Sequence, residues 1–84
     1  MNLFVTNINR AVTDDALKAL FIEFGKVASV KIMIDKSTGI SKGFGFVDMP
    51  DDREAMEAVR KLSNASFFGS KLRVSKARPQ TTIF

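Results

Sequence analysis

The spacing of apolar residues switches between two periods along this chain, and the order of the switches leaves few folds open. Residues 3–8, Leu3-Phe4-Val5-Thr6-Asn7-Ile8, alternate with a period of two and are rich in β-branched and aromatic residues, which predicts a strand. Ala16, Leu17, Leu20, Phe21 and Phe24 then recur at steps of three and four. That predicts a helix over 14–24, with Thr13 as its N-cap, Asp14 and Asp15 at its positive end, and Gly25 as its stop. Residues 27–34 return to a period of two, with Val30, Ile32 and Ile34 on one side and Lys31 and Met33 on the other. A polar turn-rich loop follows at 35–41, and a third strand is predicted over 42–49. Pro50, Asp51 and Asp52 open a second helix whose inner face is predicted to hold Ala55, Met56, Ala58, Val59 and Leu62. Glu57 and Lys61 stand at a favourable helical spacing for an ion pair, and Asn64 suits a left-handed residue after the helix. Residues 67–69 read as a connector and 71–76 as the last strand, with Leu72 and Val74 inward. The order β-α-β-β-α-β predicts an α+β, ferredoxin-like sandwich: a four-stranded antiparallel sheet with two helices on one face.

Two helices leave the other sheet face uncovered, so the residues predicted to point there matter. Strand parity selects Phe4 and Thr6 on the first strand, Lys31 and Met33 on the second, and Lys42, Phe44, Phe46 and Asp48 on the third. On the last strand it selects Lys71, Arg73 and Ser75. A solvent face normally reads polar at such positions. Here it carries three Phe rings among Lys and Arg. A core role for the rings is disfavoured, because Leu3, Val5, Val30, Ile32, Val47, Leu72 and Val74 already fill the other face. Exposed rings beside cations are the arrangement single-stranded nucleic acid requires, since unstacked bases lie on the rings and phosphates meet the cations.

Charge points the same way. The net charge is +4, and it is unevenly spread. Residues 58–84 carry Arg60, Lys61, Lys71, Arg73, Lys76 and Arg78 and no acid, whereas all nine Asp and Glu lie within 1–57. A basic C-terminal third fits a polyanion. The absence of Cys and His excludes disulfides, Cys nucleophiles, imidazole bases and zinc sites built on either residue. No phosphate loop is present either, since Gly43-Phe44-Gly45 lacks a following Gly-Lys-Ser/Thr. An enzyme is therefore not expected, and neither are a cofactor or a small-molecule substrate. No apolar run is long enough to span a membrane, and no leader is expected from residues 1–7.

Lys42-Gly43-Phe44-Gly45-Phe46-Val47-Asp48-Met49 resembles the octapeptide signature of the RNA recognition motif family, and residues 3–8 resemble its hexapeptide signature. The likeness covers about residues 2–78 and also resembles the small stand-alone bacterial members of the family. It implies that Phe4 and Phe44 each stack a base, that Phe46 packs against a sugar or between nucleotides, and that Lys42 meets a phosphate. It further implies that Lys31 and Met33 flank the platform, that Arg73 and Ser75 extend it, and that Lys76, Arg78 and Arg10 add contacts. Three positions depart from the pattern. Met49 stands where an aromatic is frequent, Asp48 puts a negative charge on the open face, and Phe68 stands where the family is usually polar. Gly43 is expected to leave space near Phe44, and Gly45 to let a helix approach the sheet.

The domain is expected to span 1–78, with a tail at 79–84 whose Ile83 and Phe84 have no assigned role. The expected function is binding of single-stranded RNA, or single-stranded DNA, by a cytoplasmic monomer, in post-transcriptional regulation or as an RNA chaperone. The competing expectation is a protein–protein interaction domain of the same fold.

Overall fold

The computed structural model describes residues 1–77; Arg78 and the tail at 79–84 lie outside the described residues. The chain forms β1 (Asn2–Thr6), α1 (Asp14–Ile22), β2 (Ser29–Ile34), β3 (Ser41–Asp48) and α2 (Asp52–Leu62). It continues with β4 (Ser66–Phe67), β5 (Ser70–Lys71) and β6 (Arg73–Lys76). Four strands pair antiparallel in the order β2-β3-β1-β6, and β4 and β5 form a separate hairpin. Leu3, Val5, Ile32, Val47 and Val74 of the sheet pack with Leu17 and Phe21 of α1 and with Ala55, Ala58 and Leu62 of α2 in one core. This is the ferredoxin-like sandwich expected, with both helices on one face.

Both helices start where their caps place them. Thr13 Oγ1 accepts from the Ala16 N–H at 3.2 Å. Asp51 Oδ1 accepts from the N–H groups of Arg53 and Glu54 at 2.8 and 3.2 Å. These bonds satisfy donors that a helix start otherwise leaves to water. α1 ends at Ile22, two residues before the expected last residue Phe24, because the chain tightens there. The Phe24 N–H bonds to the Phe21 carbonyl at 3.0 Å and the Gly25 N–H to that of Ile22 at 3.2 Å. Gly25 then takes φ +151°, and a side chain on it would collide with Glu54.

Five expectations are corrected. Met56 is half exposed at 52%, not inward. At about 100° per residue, Ala55, Ala58, Val59 and Leu62 fall within one arc and Met56 rotates out of it. Ile34 is also exposed at 52%, because the register between β2 and β3 shifts after Ile32. Glu57 pairs with Arg60 at 2.8 Å, not with Lys61. Gly45 admits a strand and not a helix: a Cβ there would lie 2.5 Å from the Lys31 carbonyl oxygen and 2.9 Å from Ile32 Cα. The last strand is interrupted. Lys71 pairs with Ser66 in the hairpin, the Leu72 N–H and carbonyl bond to Ala65 and Asn64, and only from Arg73 does the chain rejoin the sheet. Leu72 itself is fully buried at that kink, as expected. Asn64 takes the predicted left-handed conformation, φ 68°.

Gly45→Ala is expected to lower the thermal midpoint by roughly 5–15 °C, since crowding of this kind costs about 1–3 kcal/mol. Met56→Ala is expected to stay within about 0.5 kcal/mol of the parent. Circular dichroism melts of the two variants measure both.

Candidate nucleic-acid interface

The register of the sheet arranges its uncovered face in rows. One row runs Lys31–Phe46–Phe4–Ser75 across β2, β3, β1 and β6. The next runs Phe44–Thr6–Arg73, with Met33 on β2 beside it. The rows between them belong to the core face: Ile32, Gly45, Val5 and Val74 are opposite one another and all buried. The three Phe rings therefore form one cluster. Phe4 lies 5.2 Å from Phe46 and 5.9 Å from Phe44, centroid to centroid, at tilted angles of 35° and 59°. Phe46 is 39% exposed, and Phe4 and Phe44 are half-buried by their neighbours.

A bulge keeps Phe44 in this cluster. Between Ile32↔Gly45 and Ile34↔Ser41 the chain advances four residues on β3 against two on β2. Gly43 absorbs the irregularity at φ +85°, a conformation disfavoured for residues with a Cβ. On its other side β3 stays paired with β1 as far as Thr6↔Phe44, and the Ile8 N–H then bonds to the Gly43 carbonyl at 2.9 Å. Gly43 is thus required for backbone shape, beyond the open space expected of it.

The remaining sequence candidates divide. Lys31, Arg73 and Ser75 are exposed on the open face, and Met33 is half-buried there. Lys42 is exposed on the bulged segment, outside the paired rows. Lys76 is not on this face by register. It pairs with Leu3, in the row whose other members face the helices, so its stem leaves from the far side of an edge strand. Arg10 lies in the loop after β1, where it lines a cleft with Asp14, Asp15, Ile32, Ile34 and Ser41 rather than the sheet. A second groove, along α2 between Met56 and Val59, is likewise away from the rings. Arg78 lies outside the described residues.

Electrostatics favour an anion on the open face. Among the described residues, Lys31, Lys42 and Arg73 make no ion pair, so their charges are free for a ligand. Asp48 does face this side, in a row with Ser29 and Asn2. Its carboxylate lies 3.8 Å from the Met1 amine, which offsets part of its charge. Asn2 and Ser29 were not singled out from the sequence, although each lies two residues from a selected position, and the same parity reaches them.

The residues and their spacing match known proteins. The model of the RNA recognition motif family matches residues 3–73. "Putative RNA-binding protein RbpB" of Nostoc sp. is 40% identical over 80 residues, covering 95% of this chain and 78% of that protein. The crystal structure of RNA Binding Protein PG1 superposes with a TM-score of 0.89 at 40% identity, covering 95% of this chain and 99% of that one. A chain of the Sxl-lethal protein/RNA complex gives 0.89 at 35% identity, covering 95% of this chain and 48% of that one. These likenesses place the molecule with binding domains and not with enzymes. A family match over most of the length, on a sheet that carries both signatures at the register described, shows that this chain belongs to the RNA recognition motif family.

Proposed function

We propose that this chain binds single-stranded RNA, with bases stacked on Phe4, Phe44 and Phe46 and phosphates held by Lys31, Lys42 and Arg73. The observation that carries the reading is the three-ring cluster on the one sheet face that no helix covers. Placing rings there adds little to the core, and no described acid neutralises the neighbouring cations. The likeness to a chain solved in complex with RNA supports the same reading. Post-transcriptional regulation or RNA chaperoning is the role that suits a small single platform acting as a monomer. Single-stranded DNA offers the same π-faces and phosphates and is the competing ligand. The 2′-hydroxyl is what separates the two.

Stacking contributes about 1–3 kcal/mol per base, and a few phosphate contacts add a salt-dependent component. Together these place the affinity for a short oligomer near the micromolar range, about −8 kcal/mol. Phe44→Ala is expected to cost about 1–3 kcal/mol of that affinity while the protein stays folded. Fluorescence anisotropy with a labelled degenerate RNA octamer, beside a melt of the variant, tests this. Wild-type affinity in a folded Phe44→Ala protein would remove the ring from the site. Arg73→Ala is expected to reduce the slope of log affinity against log salt by roughly one. An unchanged slope in a salt titration would take Arg73 off the phosphate path.

A further inference from the structure

The β4–β5 hairpin turns through Phe68 and Gly69, both at positive φ, 54° and 80°. A two-residue turn of this kind favours Asn or Gly at its first position, because a Cβ there crowds the following carbonyl. A bulky aromatic in that conformation is an outlier. The ring is not spent on the core. Phe67 packs against the core, whereas Phe68 is 51% exposed and meets Phe67 edge-on at 4.8 Å. A large apolar group held in a strained turn and left in water points to a ligand.

The hairpin is fixed to one end of the open sheet face. Asn9 Nδ2 donates to the Phe68 carbonyl at 3.0 Å, and Asn7 Nδ2 donates to the Lys71 carbonyl at 2.7 Å. Both asparagines follow Thr6, whose neighbours across the sheet are Phe44 and Arg73. Three residues of backbone, from Thr6 to Asn9, reach at most about 11 Å. The turn is therefore anchored a short step beyond the Phe44–Arg73 row. Lys71 and Arg73 are exposed at this end, and among the described residues neither makes an ion pair.

We propose that Phe68 is an additional base-stacking site, which takes a nucleobase of an RNA strand that has run off the sheet past Phe44 and Arg73. The proposal rests on the reading of the open face as an RNA platform. An aromatic ring among uncompensated cations, continuous with that platform, fits a nucleotide better than an apolar protein segment. Its reach makes it matter only for longer strands.

The test compares degenerate RNA pools of four and ten nucleotides by fluorescence anisotropy, with wild type, Phe44→Ala, Phe68→Asn and Phe68→Tyr. Asn suits the turn, so Phe68→Asn is expected to melt at or above the wild-type temperature. It is expected to bind the ten-nucleotide pool about five- to tenfold more weakly and the four-nucleotide pool within about twofold. Phe68→Tyr is expected to keep the long-strand affinity. Phe44→Ala is expected to weaken both pools. Loss in Phe44→Ala with no loss on the long pool in Phe68→Asn would overturn the Phe68 site and leave the platform standing. Equal losses on both pools in Phe68→Asn, or a melting temperature far below wild type, would show the ring to be structural and would overturn it too. Unchanged binding in Phe44→Ala would overturn the platform itself.

Discussion

Two helices cannot cover both sides of a four-stranded sheet, and the composition of each strand follows from that asymmetry. The row Ile32–Gly45–Val5–Val74 is buried from edge to edge. Each aliphatic side chain removed from water there contributes about 1.5–3 kcal/mol, and a chain with no disulfide has little else to hold it. The row Lys31–Phe46–Phe4–Ser75 lies one step away on the same strands, and its side chains meet water. The rings of that row and Phe44 of the next shield one another, with Phe4 5.2 Å from Phe46 and 5.9 Å from Phe44, and so limit their own cost. The face that stabilises the fold and the face proposed to bind are two sides of one set of residues. A shift of one residue in register would exchange them.

Register is held by backbone features as well as by the side chains of the two faces. Gly45 lets β2 lie against β3 at a distance no Cβ would permit. Two residues earlier, Gly43 takes the positive φ that absorbs the extra length of β3. The pairing with β1 continues through Phe44, while the pairing with β2 jumps to Ser41. Phe44 is thereby kept beside Phe4, and Ile34 is displaced into solvent. The free edge of β2 is also managed: Asp14 Oδ1 accepts from the Ile32 N–H at 3.1 Å. An acidic residue at a helix start thus occupies a donor that would otherwise be open to a second strand.

Much of this was legible in the sequence, and what was not has identifiable causes. Alternation separates Phe4, Phe44 and Phe46 from Leu3, Val5 and Val47, because period two is a rigid geometric rule. It fails at Ile34, where a bulge interrupts the count and nothing in residues 32–34 announces it. The signal sits across the sheet, in Gly43. The inner face of α2 was read too broadly, since Met56 is apolar but lies off the arc of Ala55, Ala58 and Leu62. Lys76 enters through the family resemblance and not through alternation, and counting from Val74 turns it to the helix side. The hairpin at 66–71 was hidden because Phe68 is the wrong residue for its turn. Propensity disfavours the conformation that Gly69, Asn7 and Asn9 impose on it.

Charge is distributed by the same division of faces. Asp14 and Asp15 stand in the first turn of α1, and Asp51, Asp52 and Glu54 at the start of α2. There they complement the positive ends of the helices, and Asp14, Asp51 and Glu54 also accept backbone N–H bonds. Glu57 is taken up by Arg60, whose guanidinium, hydrogen-bonded to the carboxyl, holds its pKa below the usual carboxylate range. Acids engaged around the helices are not available to neutralise Lys31 and Arg73 across the sheet. A net charge of +4 understates the field that a phosphate meets at the rings, because much of the negative charge is bound up around the helices. The separation needs no extra residues: the carboxylates at the helix starts are withheld from the cations beside the rings.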